Sequence, residues 1–435
     1  MEPVRGRGKD PRHSLRRGVA RHIGLPRGCF AEAVQLLKSH GVTARVQDER
    51  FGGRAFNVRF HGELRAEQTA AAEAMLAHDD GVLAATTAFG KTVIAAHCIA
   101  RRGVNTLVLV HRRQLLDQWR ERLAVFLGID VKAIGVIAGG KKSPTGTVDI
   151  ALLQSLNRKG VVPDFVGDYG HVVVDECHHL SAFSFETVLR RVKARFILGL
   201  TATPIRKDGH HPIIFMQCGA IRFRVDARKH AATRPSDHVV IPCPTCFQIP
   251  PGTEPPIQQL YAELAANERR NAQIIRDVLA TVAEGRSPLV LTERKSHADA
   301  LACALRGKVA HVVVLQGGQD AKARAAVASE LAAISQDTPR VIIATGRYIG
   351  EGFDDSRLDT LFLALPVSWR GTLQQYVGRL HRLHDGKTEV RVHDYIDGAV
   401  PMLARMFAKR RRGYEAVGYS ICDDSAPTLG SMPRI

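Results

Sequence analysis

The sequence predicts an α/β protein: two tandem parallel-sheet domains behind a small N-terminal α+β appendage. From Glu63 onward, short apolar strand-like runs alternate with amphipathic helices, the pattern of a parallel sheet covered on both faces. The alternation pauses at a Pro-rich passage, Ile249–Pro256, and then restarts. At 435 residues the chain is too long for one core and suits two or three domains.

Residues 1–23 read as a flexible basic arm and residues 24–62 as the appendage. Within the appendage, Phe30–Gly41 has the spacing of an amphipathic helix stopped by glycine. VTARVQ and AFNVRF, on either side of the turn-rich ERFGGR, read as two short strands. The first domain, 63–235, is expected to carry helices Arg65–His78, Lys91–Arg101 and Arg113–Phe126. Its strands are the run GVLAATTA, Thr106–Val110, Val148–Leu153, Val172–Asp175 and Phe196–Thr201. Residues 236–256 read as a linker. The second domain, 257–400, takes helices Ile257–Ala265 and Glu268–Ala283, then strands PLVLT, HVVVL, VIIAT, TLFLAL and VRVHDY. A basic helix and tail, 401–435, close the chain, and no shorter repeat or low-complexity tract interrupts it.

Hydrophobic residues make up 45% of the chain, which excludes a disordered polymer. No apolar run reaches the roughly 18 residues that a membrane helix needs, so no membrane partner is expected. The basic N-terminus lacks the apolar core of a secretory signal. Eight scattered cysteines read as reduced thiols of a cytoplasmic protein. Lys and Arg total 61 against 43 acids, a net charge of +18 that favours a polyanionic partner such as nucleic acid. Part of this charge lies at the ends: eight Lys/Arg fall within the first 27 residues, and Lys409–Arg412 is a basic run. Each run by itself is equally consistent with a solvated tail or helix face.

Chemistry concentrates in a few stretches. ATTAFGKT (Ala85–Thr92) follows a strand run and opens a helix, as a phosphate-binding loop does, but alanine stands where its first glycine belongs. Such a loop turns the backbone N–H groups of Ala88, Phe89 and Gly90 and a helix N-terminus toward phosphates. Lys91 would reach the β- and γ-oxygens of ATP and Thr92 would hold Mg²⁺. About 85 residues later VVVDECHH places Asp175 and Glu176 at the carboxyl end of a buried-type strand. Asp175 can hold Mg²⁺ through water while Glu176 polarises the attacking water. In QYVGRLHR, Arg379 and Arg382 are three apart, so on a helix they would share one face and could stabilise a transferring γ-phosphate. GEGFD, after a strand and a threonine, suits backbone contact to phosphate at Gly352 and nucleotide sensing by Asp354. A small-molecule kinase would leave the second α/β domain and QYVGRLHR without a purpose.

The order of these motifs resembles superfamily 2 helicases and translocases, in which two RecA-like domains clamp ATP between them, over Arg65 to about Arg382. That resemblance implies that Arg65 and Gln68 of LRAEQ read adenine, and alanine opens the phosphate loop in many members. It identifies DECH as a DExH-type motif with His178 coupling. It likewise implies coupling by Thr201 and Thr203 of TAT and by Gln375. It places nucleic-acid contacts at His111 and Arg112 of VHRRQLLDQW, at Gln154 and Ser155 of LLQSL, and at Thr345.

TATPIRKDGHHPI resembles XPB-type helicases, with Arg206-Lys207-Asp208 where those carry Arg-Glu-Asp. The reversed middle charge suits a phosphate contact by Arg206 or a plain surface turn. LPRGC, HGELRAEQ, MQCGAIR and MLARMFAKRRRGYEAVGY are similar to the helicase component of bacterial TOTE conflict systems. That family often carries a primase domain ahead of the helicase; none fits before Leu25. A stand-alone version or half of a split system, with a separate primase-type or nuclease subunit, is expected.

The resemblance implies an ATP- and Mg²⁺-dependent nucleic-acid helicase or translocase in an anti-mobile-element defence system, with DNA favoured over RNA. The alternative is a clamp or scaffold switched by ATP without unwinding. CPTC offers Cys243 and Cys246, two of the four ligands of a structural zinc, or else two free thiols.

Overall fold

The computed structural model describes residues 17–19, 22–86, 88–177, 182–202, 212–226, 236–317, 321–346, 355–367, 370–382, 384 and 387–422. The chain divides into two compact units, Met1–Ala85 with Phe89–Val225, and Asp226–Ile435 with Thr86–Ala88. A short antiparallel pair, β1 (Arg17–Val19) and β2 (His22–Gly24), stands where a featureless basic arm was expected.

In the first unit, strands follow as β3 (Asp80–Ala84), β4 (Thr106–Val110), β5 (Gly135–Ala138), β6 (Lys141–Ser143), β7 (Val148–Leu152), β8 (His171–Val174), β9 (Phe196–Thr201) and β10 (Ile221–Arg224). Their order in the sheet is β10-β3-β9-β8-β4-β7-β5-β6, parallel throughout except for the β5–β6 hairpin. Strands β3, β4, β7, β8 and β9 are buried along nearly their whole length because both faces are covered. Leu107 and Leu109 of β4 enter one core, and Val108 and Val110 enter the other.

The appendage differs from expectation. Helix Phe30–Ser39 forms but buries none of its residues. The two expected strands do not pair with each other; residues 42–50 are exposed, and residues 51–60 lie on the first unit. Phe51 and Ala55 make isolated bridges to Ala194 and Val104, and Phe56, Val58 and Phe60 pack on the core of the first sheet. The alternating apolar residues of the second run thus meet an existing core rather than a partner strand, while Val42 and Val46 of the first run are exposed. Arg27 ties down the chain ahead of it, donating to the Ala194 and Val192 carbonyls at 2.7 and 2.8 Å.

The second unit contains β11 (Asp237–Pro244), β12 (Pro288–Thr292), β13 (His311–Leu315), β14 (Arg340–Thr345), β15 (Thr360–Leu363), β16 (Glu389–Ile396) and β17 (Ser420–Ile421). All pair in parallel, in the order β13-β14-β12-β15-β16-β11-β17. Residues 237–244 had the prolines of a linker, yet they form β11, in register with all eight residues of β16. Pro242 and Pro244 fit because the neighbour on that side, β17, bonds only near Val239 and Val240. The basic run near the C-terminus lies on helix Pro401–Ala416, where one of its arginines is a core residue: buried Arg410 donates to both carboxylate oxygens of buried Asp394 at 2.7 Å. Among the described residues, no helix is long and apolar enough to cross a membrane.

Candidate functional site

Strands β3, β9, β8 and β4 are consecutive neighbours and all parallel, so the residues that follow them emerge on one edge of the first sheet. This brings Ala85, Thr201, Asp175 and His111 together. Ala85 is buried with an ordinary φ, and its N–H donates to the Thr201 carbonyl at 2.9 Å. The loop's first position therefore continues a strand and has no need of glycine. The left-handed backbone comes later, at Ala88 (φ 68°) and Gly90 (φ 99°). At Gly90 a Cβ would also meet the Gln68 amide nitrogen at 2.4 Å, so glycine is required there.

Arg65 and Gln68, expected at adenine, brace this loop: the Arg65 guanidinium and Gln68 amide donate to the Phe89 carbonyl at 2.9 and 2.6 Å. Helix Lys91–Arg102 then starts with Lys91 and Thr92, and no side chain caps its first N–H groups. An uncapped helix N-terminus behind a left-handed turn suits a polyphosphate. The Thr86 hydroxyl, buried without a partner among the described residues, is a further polar group in this loop.

Lys91 Nζ lies 3.3 Å from Glu176 Oε1 and donates to the Ala85 carbonyl at 3.2 Å. Glu176 sits at φ 45°, a conformation that a non-glycine residue holds only under constraint. Its N–H donates to Asp175 Oδ1 at 3.0 Å. The other oxygen of Asp175 accepts the indole N–H of buried Trp119 at 2.7 Å. Burial, then the neighbouring Glu176 charge, push the Asp175 carboxyl above the usual carboxylate range, against the pull of Trp119 and Lys91. A buried carboxylate raised in this way, beside a second acid, is a group that gains from a cation.

Sequence reasoning passed over Trp119. The available signal was its place on the buried stripe Leu116, Trp119, Leu123, Leu127 of helix Arg113–Leu127, because a buried indole N–H needs an acceptor.

The nucleic-acid candidates are partly assembled. Gln154 donates to the His111 carbonyl at 3.0 Å, and the Ser155 hydroxyl accepts the Gly139 N–H at 2.9 Å. Arg112 stands at the N-cap of helix Arg113–Leu127. The His111 imidazole, however, is half-buried within the fields of Glu176 and Asp175, and burial lowers its pKa. Thr345, in the second unit, is buried and accepts the Gly317 N–H at 3.1 Å, an internal bond.

Arg379 and Arg382 do not share a helix face as their spacing suggested. The helix Arg370–Leu380 ends between them, with Arg379 in its last turn. Gln375 is on this helix, its side chain outside those described; His178, Thr203, Arg206, Gly352 and Asp354 also lie outside the described residues. Cys243 is buried in β11 while Cys246 is exposed. Among the described residues no group of three or more His, Cys, Asp or Glu could hold a metal ion.

Residues 61–206 match the family described as Type III restriction enzyme, res subunit. A protein of Invertebrate iridescent virus 6, provisionally named helicase 161L, is 26% identical over 84% of this chain and 83% of its own length. The DNA 3'-5' translocase XPB2 of Sulfurisphaera tokodaii is 32% identical, over 37% of this chain and 36% of its own. In fold, the chain is similar to S. cerevisiae Dbp5 bound to RNA and ADP BeF3, with a TM-score of 0.58, 13% identity and coverage of 82% of this chain and 89% of that one. The two units are RecA-like α/β domains in tandem. These relatives support an ATP-hydrolysing enzyme of the helicase and translocase type.

Proposed function

We propose that the protein is a motor that moves along DNA, driven by Mg²⁺-dependent ATP hydrolysis. The observation that carries this is the loop and acid pair of the first unit, where Lys91, Glu176 and Asp175 stand within one hydrogen-bonded constellation. Phosphates bind on the backbone of Ala88–Gly90 and the N-terminus of helix Lys91–Arg102. Lys91 leaves Glu176 for the phosphate oxygens, and the freed carboxylate accepts a proton from the attacking water. Thr92 and Asp175 would hold Mg²⁺, which supplies charge neutralisation between phosphate oxygens. Arg379 and Arg382 of the second unit add positive charge to the γ-phosphate, and His178, Thr201, Thr203, Gln375, Gly352 and Asp354 relay nucleotide state.

Arg112, Gln154, Ser155 and Arg206 contact the strand through phosphates, which makes tracking tolerant of sequence. The net charge of +18 supports a polyanionic track. The likeness to XPB-type proteins and to a restriction-enzyme subunit supports DNA as that track, a role in defence and a separate primase-type or nuclease partner.

ATP turnover compared on single-stranded, duplex and forked DNA and on RNA, at two salt concentrations, tests this. Turnover is expected to rise on DNA and to lose that stimulation steeply with salt. Equal turnover with and without nucleic acid would falsify the motor, and a larger rise on RNA would overturn the choice of DNA.

Trp119 yields a separate expectation. Trp119→Phe keeps the packing of the helix but removes the N–H that orients Asp175. The Mg²⁺ concentration for half-maximal turnover should rise about tenfold, as for other groups that orient a metal ligand, while KM for ATP at saturating Mg²⁺ stays put. If the Mg²⁺ titrations of variant and wild type superimpose, the indole serves only packing.

A further inference from the structure

Lys387 was not among the residues that the sequence singled out, yet its surroundings are unusual. Its Nζ donates to four backbone carbonyls: Ser356 at 2.6 Å, Leu358 at 2.7 Å, Arg382 at 2.9 Å and Leu380 at 3.2 Å. Two of these carbonyls belong to the chain just after GEGFD. Of the other two, the Leu380 carbonyl ends the helix that bears Arg379, and the Arg382 carbonyl lies in the turn just beyond it. The lysine ammonium thus satisfies the carbonyl of the helix's last residue, a favourable place for a cation.

The same turn is held from a second side. The hydroxyl of Tyr419 lies 2.8 Å from His381 Nε2, and the His381 ring packs on that of buried His238, centroids 4.8 Å apart. The stretch at Ser356 is fixed in turn, since Asp355 accepts from Arg340 at 2.7 Å and Arg357 donates to the Ser335 carbonyl at 2.9 Å. One cation therefore joins two segments that are each anchored elsewhere.

We propose that Lys387 is a positioning residue for ATP hydrolysis, locking the turn that carries Arg382 to the chain leaving GEGFD so that the two nucleotide-facing segments move as one. This rests on the role given above to Arg379 and Arg382. A mobile guanidinium would satisfy binding but not the geometry of the transition state, so the lock acts on kcat.

Burial lowers the Lys387 pKa to about 8; Asp359 and Asp355 oppose the shift and Arg286 adds to it. As pH rises through that value the ammonium loses a proton and becomes an amine with two N–H groups for four carbonyls. Turnover should then fall. Stability should not fall with it: between about 8 and the ordinary lysine value the unfolded chain holds the proton and the folded chain does not, so this group favours folding as pH rises.

The experiment compares wild type, Lys387→Met and Lys387→Arg as full chains, measuring kcat, KM for ATP, thermal midpoint and the pH profile of kcat on saturating DNA. Lys387→Met is expected to lower kcat about tenfold with KM for ATP within about twofold of wild type. Lys387→Arg, charged at every pH used, should lack the wild-type decline near pH 8. A wild-type kcat in Lys387→Met overturns the proposal, as does a wild-type profile without that decline. The profile decides even if the methionine variant fails to fold. Arg379→Ala and Arg382→Ala serve as controls. If they keep wild-type turnover, the role of the arginines falls; if they lose it while Lys387→Met does not, only the Lys387 proposal falls.

Discussion

Lys91→Ala and Glu176→Gln are each expected to reduce ATP turnover by about 10³-fold or more, by different routes. Glu176→Gln replaces a carboxylate with an amide of the same shape, so the loop and the left-handed backbone of residue 176 can persist. What disappears is the proton acceptor for the attacking water, and nucleotide should still bind. Lys91→Ala removes the ammonium that now lies 3.3 Å from Glu176. Without it the γ-phosphate loses its nearest cation, and the two adjacent acids lose theirs. Nucleotide affinity should therefore fall with turnover in this variant alone. Binding of a fluorescent ATP analogue, measured beside turnover, separates the two. Glu176→Gln protein that hydrolyses ATP at the wild-type rate would remove Glu176 from the chemistry.

Arg379→Ala and Arg382→Ala form the second expectation, a loss of about 10³-fold in kcat for whichever arginine reaches the γ-phosphate. The positions are not equivalent. Arg379 lies in the last turn of a described helix, whereas Arg382 lies beyond its end, in the turn that Lys387 holds by its carbonyls. An arginine that acts only on the transition state lowers kcat and kcat/KM equally and leaves ATP binding in place. One variant showing that pattern and the other a mere rise in KM would identify the finger. Wild-type kcat in both would leave the γ-phosphate stabilised by Lys91 and the metal alone.

Most of the proposed ATP site was legible along the chain because it depends on residues close in sequence. A loop of eight residues and an acid pair at the end of one strand each carry their own geometry. The alanine at the head of the loop was legible only as an oddity. The structure explains it: Ala85 directly follows β3 and its N–H bonds the Thr201 carbonyl, and the residue that needs glycine's freedom is Gly90. Where reasoning went astray, it used a local rule where tertiary pairing decides. Prolines suggested a linker over residues that pair along all of β16. Alternation suggested a separate pair of strands, but the first run is exposed and the second lies on the first core. Spacing suggested a shared helix face for two arginines divided by the helix end.

The sequence by itself determined the class of enzyme and the alternation of strands and helices, and it singled out the candidate phosphate loop and acid pair. These follow from periodicity and short-range backbone geometry, which neighbouring residues specify. Only the tertiary structure decided what supports those groups: the Trp119 indole on Asp175, Arg65 and Gln68 on the Phe89 carbonyl, and the Lys387 ammonium among four carbonyls. Each is a polar contact closed by the fold between segments that alternation and spacing leave unpaired. A lone tryptophan or lysine acquires such a role only when burial removes water as its partner.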